Sequence, residues 1–144
     1  MGAELAVAMI AVERGAEPDV ERIMALDGHE SHRRFVSSQL RGGHCWVCRD
    51  DGTVTGFIAA DESFYEQCFI SLLAVHREHR RQGVATILVR YVESVCPTQK
   101  LFTSTNQSNI PAQRLFESLG FVRSGWIDNL DDGDPEIVYF KRPR

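Results

Sequence analysis

The chain of 144 residues has no apolar run long enough to cross a bilayer, which takes about 20 residues. The longest, Leu5–Val12, spans eight residues between Glu4 and Glu13. No basic stretch precedes it, so it does not read as a signal peptide. The opening Met1-Gly2-Ala3-Glu4-Leu5-Ala6 lacks the hydroxyl that a myristoylation signal carries at its sixth position. There are only four cysteines, Cys45, Cys48, Cys68 and Cys96, which excludes a disulfide-built miniprotein. Cys45 and Cys48 have C-x-x-C spacing, but no second pair follows. They fall in an apolar stretch that reads as a strand, where residues three apart face opposite sides and cannot share a metal. Reduced, buried thiols and no metal site are expected. A basic excess is also missing. The net charge is −4, which argues against a nucleic-acid partner. The expectation is a cytoplasmic protein without a membrane or nucleic-acid partner. Its 43% apolar and 25% charged residues are those of an ordinary globular domain, with no repeat or linker dividing residues 1–144.

The patterning alternates between strand and helix. Leu5–Arg14 reads as a first strand. Pro18 suits the first turn of a helix that carries Val20, Ile23 and Met24 at helical spacing. The polar break Asp27–His32 separates it from a short helix over Arg33–Arg41, which Gly42-Gly43 ends. His44–Cys48 and Val54–Ala60 read as two strands joined by the tight turn Asp50-Asp51-Gly52. Phe69–Val75 is a nearly continuous apolar run, as expected of a central strand covered on both faces. A strong helix follows, with Val84, Ile87, Leu88, Tyr91, Val92 and Val95 on one stripe, and Pro97 ends it. Leu101–Thr105 is a short strand. A second helix begins near Asn109, with Pro111 in its first turn and Gly120 just past its end. Phe121–Trp126 and Ile137–Phe140 close the domain around an acidic segment. Asp128, Asp131, Asp132, Asp134 and Glu136 stand there without a base between them. Such a segment is either a solvated turn or an attractor of cations.

The sharpest chemistry lies in residues 73–90. A buried strand runs into a basic, glycine-containing turn, His76–Gly83, and a helix starts at once. The first amides of a helix have no internal partner and point outward at the positive end of its dipole, which suits an anion. Gly83 lets a phosphate approach the backbone, Ala85 is small for the same reason, and Arg80 and Arg81 add charge. It is neither a Walker loop nor a dinucleotide fingerprint, which need other glycine spacings.

The segment Arg80-Arg81-Gln82-Gly83-Val84-Ala85 after Leu73-Ala74-Val75 is followed by Asn109, Ala112, Leu115-Phe116 and Gly120-Phe121. In that order and at that distance they resemble the GCN5-related N-acetyltransferase (GNAT) superfamily. The resemblance is close over residues 68–126 and extends to the rest by element order. It implies a single-domain mixed α/β (α+β) fold, with a mostly antiparallel, splayed sheet flanked by helices. It also implies acetyl-CoA as cosubstrate. Leu73, Ala74 and Val75 would pair with the pantetheine arm. Arg81, Gln82, Gly83, Val84, Ala85 and Thr86 would wrap the pyrophosphate. Asn109 would hold the pantetheine from the far side, and Ala112 and Phe116 would line the thiol end. The implied reaction is direct attack of a primary amine on the thioester in a ternary complex. The acidic segment favours a small cationic amine. A peptide or protein amine, or a non-catalytic acyl-CoA-binding module, are the alternatives, and a homodimer is left open.

Three positions depart from that pattern. Phe116 stands where many relatives have a tyrosine that reprotonates the leaving thiolate, and phenylalanine has no proton to give. Ser71 and Leu72 on the central strand, and Ser104 on the next, stand where relatives carry an acid. Arg77 replaces a common proline, with little effect on a loop that works through its backbone. An amine must lose a proton before it attacks. Glu66 is therefore the first candidate for a base, followed by Glu62 and His76. His29, Glu30 and His32 in the polar break would border the acceptor pocket in this superfamily, although solvated loop residues are expected there. His79 would sit exposed beside the pyrophosphate turn.

Overall fold

Two tight turns organise the first half of the chain. A computed structural model describes residues 10–143. Strand β1 is Ile10–Arg14, so residues 5–9 of the expected first strand lie outside the described residues. A single 3-10 turn at Glu17–Asp19 leads into α1 (Val20–Asp27), and another at Glu30–His32 leads into α2 (Arg33–Gly42). Strands β2 (Cys45–Asp50) and β3 (Thr53–Phe64) meet at Asp51-Gly52, both with positive φ, as the sequence predicts of a D-G hairpin.

The second hairpin departs from expectation. β3 continues four residues beyond Ala60, and β4 (Gln67–Val75) begins two before Phe69. The turn between them is Tyr65-Glu66, with φ of 52° and 65° and no glycine. Left-handed backbone costs ordinary residues about 1–2 kcal/mol each. Ring contacts offset this cost: Phe64 stacks on Phe69 at 4.8 Å and meets Tyr65 edge-on at 5.0 Å.

After a 3-10 turn at Arg77–His79 come α3 (Val84–Val95), β5 (Leu101–Asn106), α4 (Ile110–Ser118), β6 (Val122–Ile127) and β7 (Glu136–Lys141). The seven strands form one sheet in the order β1-β2-β3-β4-β5-β7-β6. Every neighbouring pair is antiparallel except β4 and β5.

Strand alternation sorts the core onto two faces. On one, Trp46, Cys48, Ile58, Leu101 and Tyr139 pack with Leu88 and Val92 of α3 and Phe116 of α4. On the other, Cys45, Val47 and Phe57 pack with Ile23, Met24, Val36 and Leu40 of α1 and α2. Cys45 and Cys48 thus face opposite sides, as their spacing requires. Each fully buried side chain of this size stabilises the fold by about 1.5–3 kcal/mol. Gly56 sets how closely α3 approaches the sheet. A Cβ there would lie 2.9 Å from Val84 Cγ1 and 3.1 Å from the Ala74 carbonyl oxygen. Its absence seats the first turn of α3 beside the end of β4. No helix among the described residues is long and apolar enough to cross a membrane.

Candidate active site

The sheet opens where β4 leaves β5. β4 pairs with β3 along its length, but with β5 only through Cys68–Leu101, Phe69–Phe102 and Ile70–Thr103. The opening begins at a β-bulge. The register with β3 steps from Ala60–Ile70 to Ala59–Leu72, which leaves Ser71 as the extra residue. Its hydroxyl donates to the Ala59 carbonyl at 3.3 Å. A bulge bends its strand and increases the local twist, so β4 turns away from β5 at this point. Leu72–Val75 then have no strand partner on the β5 side. The structure therefore places Leu73, Ala74 and Val75 along the open edge.

The open edge leads directly into the basic turn. His76 Nδ1 accepts from the Glu78 amide at 3.2 Å, which shapes the 3-10 turn after it. Arg81 and Gly83 both have positive φ, 65° and 81°. Gly83 is the N-cap of α3, and no side chain caps the helix. The amides of Val84, Ala85 and Thr86 therefore have no acceptor within the helix. A Cβ at Gly83 would meet nothing within 4 Å, so it would project into the space above these amides. Arg80 reaches the Val75 carbonyl at 3.4 Å, and Arg81 and Gln82 are exposed. His79 is half-buried rather than exposed, and its Nδ1 has no partner. The turn suits a phosphate-bearing ligand: free amides, a helix dipole, two arginines and no obstructing side chain.

Across the opening stands α4. Asn109 Oδ1 accepts from the Ala112 amide at 3.2 Å, so Asn109 caps the helix and has its Nδ2 left for a ligand. Ala112 is half-buried beside the core. Phe116 is 4% exposed and wedged between Phe121 and Tyr139, at 5.6 and 5.8 Å between ring centres. It is thus a core residue beneath the opening. None of the three phenols reaches the open edge. Tyr139 is fully buried and donates to Glu117, and its burial, followed by that contact, raises its pKa. Tyr91 packs on Trp46, and Tyr65 is at the hairpin tip.

The structure does not bring Glu66 to this site. The β3–β4 hairpin runs the other way, so Glu66 at its tip is five residues before Ser71, roughly 17 Å at strand spacing. Glu62 is exposed near the same tip. In the expected acceptor wall, His32 pairs with Asp27 at 2.8 Å, and Arg33 bridges Glu30 and Glu21. No group of metal-ligating side chains forms among the described residues. Burial pushes the Cys45 and Cys68 thiols up to about 12, which makes them inert. A separate cavity of about 550 Å³, lined by His44, Asp61, Cys68 and Cys96 among others, lies at the end of the sheet away from the turn.

The second surface of the site was less visible in the sequence. The cluster under α1 and α2 contains no residue of β5, β6 or β7. On that face Phe102, Ser104, Asn106, Glu136 and Phe140 are half-buried, and Val122 and Ile127 are exposed. Phe64, Phe69, Phe102 and Phe140 form a row with ring centres 4.8–5.8 Å apart. Next to it, Ser104 donates to Glu136 Oε2 at 2.7 Å. The acidic segment borders this face and is partly tied down. Asn106 donates to Asp131 at 2.8 Å, and the Ser108 amide and hydroxyl donate to Asp134 at 3.0 and 2.6 Å. Asp128 and Asp132 are exposed.

A parallel pair that parts at a bulge leads here into an uncapped helix start, an arrangement with room for an extended, phosphate-bearing ligand. The sequence pattern of the Acetyltransferase (GNAT) family matches residues 10–121, and the chain belongs to that family. The structure of a GNAT-family acetyltransferase from Bacillus cereus superposes with a TM-score of 0.88 at 36% identity, covering 94% of this chain and 99% of that one. A Bacillus anthracis protein assigned as a streptothricin acetyltransferase, in complex with acetyl coenzyme A, shares the fold at 18% identity. Its TM-score is 0.64, covering 68% of this chain and 61% of that one. N-acetyltransferase 8 of Homo sapiens is 29% identical over 114 residues, 74% of this chain. The chain spans about half the length of that human protein.

Proposed function

We propose that this protein transfers an acetyl group from acetyl-CoA to a primary amine by direct attack. The observation that carries the reading is the parting of β4 from β5 at Ser71, which runs without interruption into the free amides at the start of α3. Acetyl-CoA has a matching shape: a pantetheine arm that pairs like a strand, and a pyrophosphate that suits a helix N-terminus. Leu73–Val75 would take the arm, and Arg81–Thr86 the pyrophosphate. Asn109 would hold the arm through Nδ2. A backbone amide on the open edge near Val75 would polarise the thioester carbonyl. The protein's contribution is then orientation and electrostatics rather than covalent catalysis.

The acceptor would lie on the face that α1 and α2 leave open. Its row of phenylalanines and its acidic border favour an amine that is cationic at neutral pH. A small cationic amine is the primary reading. A peptide amine is the second, and the openness of the face favours it, since an extended chain needs a groove rather than a closed pocket. Release of CoA with spermidine and with trialanine as acceptors tests both. Turnover of spermidine with a lower KM supports the first, and of trialanine the second. CoA release to water alone, unchanged by any amine, would replace acetyl transfer with acyl-CoA hydrolysis.

A further inference from the structure

An ammonium group has no lone pair for attack, so the site needs a group that removes one proton. The carboxylates close to the open edge are few. β4 offers none from Gln67 to Val75, and β5 none from Leu101 to Asn106. Glu66 and Glu62 are at the far hairpin tip. Asp61 accepts from Ser63 and Gln39. It lines the cavity at the end of the sheet away from the turn. Asp131 and Asp134 are bonded to Asn106 and Ser108, three and five residues beyond Thr103, where β5 last pairs with β4.

Glu136 remains. It stands on β7 opposite Asn106, but its carboxylate leans back two positions to accept the Ser104 hydroxyl at 2.7 Å. Ser104 directly follows Thr103, the last β5 residue that pairs with β4. The carboxylate is therefore drawn to the level where the sheet opens. Ser104, Val138 and Glu136 share the face that α1 and α2 leave open, with Val138 itself buried, because directly opposed and alternate residues point to the same side. The β6 residue opposite Val138 is Gly125, whose missing Cβ would meet nothing within 4 Å, so the approach from that side is open.

We propose that Glu136 is the catalytic base for the acceptor amine and that Ser104 is its positioning residue; this rests on the acetyl-transfer reading. Glu136 takes one proton from the ammonium, and the nitrogen lone pair then forms the C–N bond at the thioester carbonyl. The C–S bond breaks with its electron pair on sulfur. A second N–H proton passes through water to the thiolate, since no phenol is at hand. Glu136 returns its proton to solvent. The products are the acetamide, CoA thiol and one proton.

The test follows CoA release with spermidine, with trialanine and with water alone, in parent, Glu136→Gln, Ser104→Ala and Ser104→Thr proteins. Glu136→Gln keeps the side-chain volume and an oxygen for Ser104, so the fold is retained. It is expected to lower kcat about 100-fold or more with every acceptor the parent uses. The KM for acetyl-CoA and the thermal shift that acetyl-CoA produces should not change. Ser104→Ala is expected to lower kcat about 5-fold with KM for acetyl-CoA constant, and Ser104→Thr to restore it. Parental kcat in Glu136→Gln, or a loss with Glu66→Gln instead, would overturn the assignment and leave the acetyl-transfer reading standing. A parent protein whose melting temperature does not respond to acetyl-CoA would overturn both.

Discussion

The two halves of the site are built differently. The cosubstrate half, from the bulge at Ser71 to the first turn of α3, works through backbone: unpaired strand edge, positive-φ turn residues and free amides. The acceptor half works through side chains that meet across strands: the row of phenylalanines and the Ser104–Glu136 pair. Backbone sites are set by local geometry, and local geometry leaves compact traces in a sequence. Side-chain sites are set by register between distant strands. In the first half, Arg77 stands exposed in a 3-10 turn. In the second, the acid has its place on β7 rather than on β4 or β5.

The largest test of this contrast is Gly83→Val. The side chain would enter the open space above the α3 amides, so acetyl-CoA affinity should fall by about 100-fold or more, as titration calorimetry would record. The positive φ at Gly83 adds a stability cost of about 1–2 kcal/mol, visible as a modest drop in Tm. Unchanged affinity would place the pyrophosphate elsewhere.

Next in size is Phe116→Tyr. Were Phe116 a vacant proton-donor position, a hydroxyl would raise turnover. Its 4% exposure between Phe121 and Tyr139 points the other way. A hydroxyl buried there without a partner should cost about 1–3 kcal/mol in denaturant unfolding and add nothing to kcat. A gain in turnover would return position 116 to the chemistry.

A smaller effect sharpens the acceptor half. Asp128→Asn with Asp132→Asn removes two exposed charges and leaves Asp131 and Asp134 in their hydrogen bonds. The KM for spermidine should rise about 2- to 5-fold at low salt, and the difference should shrink near physiological ionic strength, where the Debye length is about 8 Å. The KM for acetyl-CoA should not move. Equal spermidine KM in both proteins would make the segment a solvated turn.

The same contrast explains what the sequence made legible. The turn after Val75, the stripe of α3 and the Asp51-Gly52 hairpin are each written within a dozen residues, and the structure has them where the sequence placed them. The Tyr65-Glu66 turn carries no glycine, since ring packing by Phe64 and Phe69 supports it, so the hairpin read four residues short in β3 and Glu66 seemed nearer the site than it is. Ser104 and Glu136 are 32 residues apart. One looked like an empty position and the other like part of an acidic loop. Only the β5–β7 register brings them together.

Hydrogen exchange at individual amides, with and without saturating acetyl-CoA, reports directly where the cosubstrate lies. The account predicts that protection rises at those amides of Leu72–Val75 that face the open edge, and at Val84–Thr86, which have no acceptor within the helix. Protection confined to the cavity lined by His44, Cys68 and Cys96, with those amides unchanged, would contradict it.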